Sequence, residues 1–296
     1  MNATIRKVRA LAGKDFADLI KNPTMFVVCL MPIGFMVLYR FVIGDAATSA
    51  GVTMGELAAA SEEIATFMLG SSLCMTIGMV ATMIVLYGIA EEKEKHTLRT
   101  LMLANVRASE VVISKSSVAL LAVTVVNAVC FFVAEGQLSL LAPYLALGLV
   151  GALPVVFVSL VLGLACRDQM TAGFYSVPVL LVALVPIFGM LGEGAARIAS
   201  FSPLGGIYEL MGLAIEGALF TEAAVVPLIV TMAWIAAGAL MFAGSRAITR
   251  LCRSALILFH LDAQKTSELH GLLGTNDATA QLAERIRYDD AGNIAC

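Results

Sequence analysis

Glu91-Glu92-Lys93-Glu94-Lys95-His96-Thr97-Leu98-Arg99-Thr100-Leu101-Met102-Leu103-Ala104-Asn105 is the densest run of charge in a very apolar chain. The chemistry open to such a run is recognition. Its charges favour a polar partner, and Leu98, Leu101 and Met102 fall at helical spacing, which predicts a short helix with one apolar face. Catalysis has no footing here. His96, His260 and His270 are remote from any nucleophile–base pattern, and no H-E-x-x-H, G-x-S-x-G or G-x-x-x-x-G-K-[ST] motif occurs. No catalytic residue is assigned. A nucleotide is not bound by a phosphate-cradling loop of this chain, so any ATP hydrolysis belongs to another polypeptide.

The elements that hold this run are set by composition. The chain has 296 residues, 59% of them hydrophobic and only 14% charged. Its mean hydropathy is +0.90. Soluble domains carry about 25% charged residues, so the chain reads as an all-α integral membrane protein. The six cysteines are scattered, with no C-x-x-C pair. They predict neither a disulfide framework nor a metal site. No basic cluster on a polar fold marks a nucleic-acid surface.

A span needs about 20 apolar residues. Six segments qualify: 24–43, 64–90, 111–134, 143–165, 171–191 and 223–243. Ahead of them, Ile5, Val8, Leu11, Ala12, Phe16 and Leu19 recur at helical spacing, with Arg6, Lys7, Arg9, Lys14 and Lys21 mostly off that stripe. Residues 1–22 thus predict an interfacial helix, in which Arg6, Lys7, Phe16 and Leu19 are the residues of interest, broken at Asn22-Pro23. Lys93, Lys95, Arg99, Arg107, Lys115 and Arg167 fall on the same side as the basic leader and tail. Only Arg40 and Arg197 fall on the other, which is acidic instead. Positive residues face the cytosol, so both termini and the charged run are expected there, in the plasma membrane. The domain reading is an interfacial helix over 1–22, a six-span domain over 23–244 and a cytosolic tail over 245–296.

Residues 193–222 are too long and too apolar for a simple outer loop. Ser202-Pro203 and Gly205-Gly206 supply breaks for a re-entrant piece, and Glu209 and Glu216 are its pathway candidates. Glu135 lies just past the third span. In the second span, Gly70, Cys74 and Gly78 form a small-residue ladder that admits a close helix. Met68, Met75, Met79 and Met83 cluster in projection; packing or lipid contact explains them first, a transport seam at Gly70, Met75, Gly78 and Met79 second. Mid-depth carboxylates, which a coupling ion would need, are missing from the spans.

Glu91/Glu92 through His96-Thr97-Leu98-Arg99-Thr100-Leu101, Glu110 to Lys115 and Phe201-Ser202-Pro203-Leu204 together resemble the permease subunits of ABC type-2 exporters. The resemblance covers about residues 5–244. His96 stands where members often have Gly, a Pro is missing near Asn105-Val106, and the tail beyond Arg250 is longer than usual. The resemblance implies a half-transporter that pairs with a second permease, identical or not, above two cytosolic ATPase subunits that hold ATP and Mg. It makes Glu91, Glu92, Glu94, His96, Thr97, Leu98, Leu101 and Met102 the ATPase-coupling segment. Ser202, Pro203, Glu209 and Glu216 belong to the exit region. The expected cargo is hydrophobic or amphipathic: a drug, an antimicrobial peptide or a lipid-like molecule. The rivals are an ATPase-independent secondary transporter or channel, and a scaffold recruiting a cytosolic protein.

Overall fold

The computed structural model describes residues 3–49, 61–95, 97 and 106–245. Every regular element among them is helical. An amphipathic helix, α1 (Ala3–Lys21), is separated from α2 (Pro23–Ser49) by Asn22 alone. Asn22 Oδ1 accepts from Thr24 N at 3.1 Å, satisfying one orphan donor of the new helix where Pro23 cannot continue the old one. A 32-residue helix follows, α3 (Glu63–Glu94), then α4 (Ala108–Val133), α5 (Leu141–Ala165) and α6 (Gln169–Leu184), which tightens into a 3₁₀ segment, Val185–Leu191. Two short helices, α7 (Glu193–Ser200) and α8 (Gly205–Ile215), lead to α9 (Glu222–Ser245). A separate compact unit begins at Leu240; in its described part Ser245 Oγ donates to Phe242 O.

Six helices are long and apolar enough to cross a membrane: Pro23–Val42, Glu63–Glu94, Ser109–Val133, Leu138–Ala165, Gln169–Leu191 and Glu222–Ser245. The chain is therefore a multi-pass helical membrane protein, and the expected spans agree with these to within a few residues. α7 and α8 are bent by 105° at the break around Ser202-Pro203. In hydrocarbon each backbone group must find its partner within the chain. At this bend Ser202 N and Gly205 N donate to Ala199 O and Ser202 O at 3.0 Å each.

α3 is the central helix. Its most apolar window is 83% buried, against 17–44% for the other five spans, and it packs on α2, α4, α5, α6 and α8. Glycine makes two of these approaches possible. A Cβ at Gly70 would lie 2.6 Å from the Tyr208 ring of α8, and one at Gly78 2.8 Å from Ala183 Cβ of α6. The small-residue ladder thus serves helices of this same chain. Midway, α3 widens into two successive π-helical turns, Ile77–Ala81 and Met83–Tyr87. Such turns are rare and loosen the regular i→i−4 ladder. Beside α3, Ser72 Oγ and Tyr144 Oη share a buried hydrogen bond of 2.6 Å, and Phe131 packs on Tyr144 at 5.3 Å.

Candidate functional site

The charged run at the end of α3 is wired into the chain one residue at a time. Glu91 takes the i,i+4 pair with Lys95 at 2.5 Å, which raises the Lys95 ammonium pKa through that hydrogen bond and charge. Glu92 points the other way and is buried. Lys93 Nζ donates to Leu164 O at 2.7 Å and Cys166 O at 2.6 Å, capping the last carbonyls of α5. Glu94 Oε2 accepts from Gln169 N at 3.0 Å, at the first turn of α6. Asp168 completes that cap by accepting from Thr171 N at 2.7 Å; this backbone hydrogen bond holds its carboxyl below the usual aspartate range. A carboxylate at a helix N-terminus and an ammonium at a C-terminus both suit the helix dipoles. Four consecutive charges therefore orient four different neighbours.

Glu92 meets the start of α4 and the middle of α1. Lys115 Nζ lies 2.8 Å from Asp15 Oδ1 and 3.1 Å from Glu92 Oε1. Lys14 Nζ reaches the same Glu92 oxygen at 3.3 Å, and Ser114 Oγ donates to Asp15 Oδ2 at 2.7 Å. Thr97 Oγ1 donates to Glu92 O at 3.1 Å. The two carboxylates and two ammonium groups balance in charge. Asp15, Glu92 and Lys115 are all buried, whereas Lys14 is half exposed. Glu92 Oε2 is buried and has no hydrogen-bond partner among the described residues. At the base of α4, Arg107 N donates to Glu110 Oε2 at 2.9 Å, the backbone half of a capping box. The cluster opens on a pocket of about 400 Å³, lined by these charges and by Leu19, Met25 and Ile84. It can hold an ionic or zwitterionic group, and it can carry force between α1, α3 and α4. Among the described residues no set of His, Cys, Asp and Glu is grouped to hold a metal ion.

The structure brings together Glu91, Glu92, Glu94 and Thr97. His96, Leu98, Leu101 and Met102, with the expected coupling helix, lie outside the described residues, as does the tail from 246. In α1, Leu19 is buried with Leu11 and Asp15, while Phe16 is exposed beside Ile5 and Ile20. The expected apolar stripe is thus two adjoining faces, one on protein and one open. Arg6 is exposed and Lys7 half-buried on the remaining side. Met75 is buried inside the chain and Met79 half-buried. Glu209 and Glu216 are exposed and line an open groove of about 330 Å³ with Gly212 and Pro227. Ser202 is buried with its hydroxyl unpartnered among the described residues, and Pro203 is half-buried. At the far end of α2, Arg40 pairs with Glu135 and donates to Val133 O at 3.1 Å, closing the C-terminus of α4.

Sequence reasoning missed Asp15, Ser114 and Lys115 as a set. A signal existed. Asp15 interrupts the stripe Leu11–Leu19 on the buried face, and Lys115 sits inside the first apolar turns of a span. A charge of each sign on an apolar face is tolerated when the two meet. No protein-family model matches the sequence, and none of the curated proteins compared with it is significantly similar.

Proposed function

We propose that this chain is the transmembrane permease subunit of an ATP-driven exporter of the ABC type-2 kind. A second permease and cytosolic ATPase subunits carrying ATP and Mg complete it. The observation that supports this reading is the buried charge cluster joining α1, α3 and α4 at the root of the segment 96–106. A partner pushing on Leu98, Leu101 and Met102 acts on a chain anchored just before them at Glu92. Lys115 and Asp15 make Glu92 a rigid lever, and Lys93 and Glu94 extend it to α5 and α6. The force then runs into α3, the most enclosed helix, whose π turns can repack at modest cost. α1 lies along the cytosolic membrane face, its Ile5–Phe16–Ile20 side in lipid and its Arg6 side in water. The bent pair α7–α8 is a re-entrant piece in the outer leaflet of the plasma membrane, and both termini are cytosolic. A hydrophobic or amphipathic cargo leaves beside Glu209 and Glu216.

The test is a mild-detergent pull-down of the tagged full chain, with partners identified by mass and assayed for ATP hydrolysis. A P-loop ATPase near one-to-one is expected, and Leu98→Asp/Leu101→Asp should lose it while still inserting in the membrane. Recovery of the chain alone as a stable oligomer overturns this reading in favour of an ATPase-independent carrier or channel. Normal copurification with the double Asp variant refutes the coupling role of 98–102.

A further inference from the structure

The pocket at the charge cluster has a composition that selects its occupant. Four ammonium groups line it (Lys14, Lys21, Lys95, Lys115), and so do four carboxylates (Asp15, Asp18, Glu91, Glu92). The sum is zero. Most of this charge is spent internally. Lys115 holds Asp15 and Glu92, Lys14 holds Asp18 and Glu92, and Lys95 holds Glu91. Two groups are left over. Lys21 makes no ion pair among the described residues, and the buried Glu92 Oε2 accepts no hydrogen bond. A buried carboxylate oxygen without a donor is costly.

One spare cation and one spare buried acceptor in a neutral pocket fit a zwitterion. A lone anion would face four carboxylates, and among the described residues no group of His, Cys, Asp and Glu is arranged to hold a metal ion. The apolar wall of Leu19, Met25 and Ile84 fits an amphiphile. The place fits as well: the pocket lies where one span begins at Pro23, another ends at Glu94 and a third begins at Ser109, which is headgroup depth in a bilayer.

We propose that this pocket binds the headgroup of an aminophospholipid, the primary ammonium donating to Glu92 Oε2 and the phosphate facing Lys21. The acyl chains leave over Leu19 and Met25 toward the exposed Ile20 and Phe26. A bound lipid then links α1 to the first and second spans. A quaternary ammonium has no N–H, so it cannot satisfy Glu92.

The test uses the purified full chain in detergent and native mass spectrometry. Its lipid probes are dioleoyl phosphatidylethanolamine, phosphatidylcholine and phosphatidylglycerol, and soluble phosphoethanolamine is run in parallel. Phosphatidylethanolamine is expected to bind about tenfold tighter than phosphatidylcholine, the worth of a charge-assisted hydrogen bond. Glu92→Gln should abolish that preference. Lys21→Ala, which removes no ion pair or side-chain hydrogen bond among the described residues, should weaken phosphatidylethanolamine binding several-fold with an unchanged melting midpoint, so the proposal is testable even if the Glu92 variant misfolds. Equal binding of the ethanolamine and choline lipids overturns the proposal, as does tighter binding of phosphatidylglycerol or no effect of Lys21→Ala. Phosphoethanolamine binding as tightly as the lipid would make the ligand a water-soluble zwitterion and refute the lipid assignment.

Discussion

Replacing Lys115 with Met removes the one cation shared by Asp15 and Glu92 while keeping the aliphatic stem. At an effective dielectric of about 20, the two attractions are worth about 6 and 5 kcal/mol before desolvation, from separations of 2.8 and 3.1 Å. Desolvation of the ammonium cancels much of this. Two carboxylates then remain buried with only half-exposed Lys14 in reach. Breaking a buried pair in this way costs about 3–5 kcal/mol. The assay is unfolding in mixed micelles titrated with SDS, together with amide exchange over α1. Exchange of α1 should accelerate by about 100-fold or more, because this cluster is the polar anchor of that helix. Asp15→Asn/Lys115→Met should recover part of the loss, since it removes one of the two stranded charges, and a double-mutant cycle should show coupling of at least about 1 kcal/mol. If Lys115→Met unfolds like the parent chain and α1 stays equally protected, the cluster does not anchor α1. Strict additivity of the two substitutions would refute the pairwise argument even if each destabilises.

Two further outcomes follow from packing and capping. Gly78→Ala should destabilise by about 1–3 kcal/mol in the same unfolding assay, because the new Cβ would lie 2.8 Å from Ala183 Cβ and 3.2 Å from Leu180 Cδ1; Gly34→Ala, which meets nothing within 4 Å, should be neutral or slightly stabilising, and equal effects would undo the claim of close approach. Asp168 has a folded pKa below the ordinary aspartate value of about 3.9, so its cap stabilises above that value and is lost as pH falls through the lower folded one. The melting midpoint of the parent should therefore drop more than that of Asp168→Asn between pH 6 and pH 3, and identical drops would show that the cap is not what titrates.

The charged run changes meaning once its partners are known. As sequence, 91–95 reads as an exposed surface waiting for a cytosolic protein. In the fold, Lys93 and Glu94 complete the ends of α5 and α6, and Glu92 is buried against Lys115. The exposed residues of these five are Glu94, at the first turn of α6, and Lys95. In the proposed exporter, the docking ATPase engages the apolar positions Leu98, Leu101 and Met102 that follow in sequence.

Much of this protein is determined by local properties of the sequence. Six spans are legible because a bilayer demands about 20 apolar residues per crossing and lets each helix satisfy its own backbone. Span ends are legible where charges, Pro23 and Asp168 punctuate them. The amphipathic α1 and the broken pair around Ser202-Pro203 follow from periodicity and from Pro and Gly. Tertiary structure alone decided which helix is central, because six nearly uniform apolar helices differ little in composition and only packing ranks them. It alone divided the apolar stripe of α1 into a buried face and an open one. It alone brought Asp15 to Lys115, 100 positions apart. An i,i+4 pair such as Glu91–Lys95 is set by helix geometry and can be read directly; an ion pair across helices depends on where each helix lands, and half a turn of rotation in α1 would carry Asp15 away from Lys115 and leave Lys115 to Glu92.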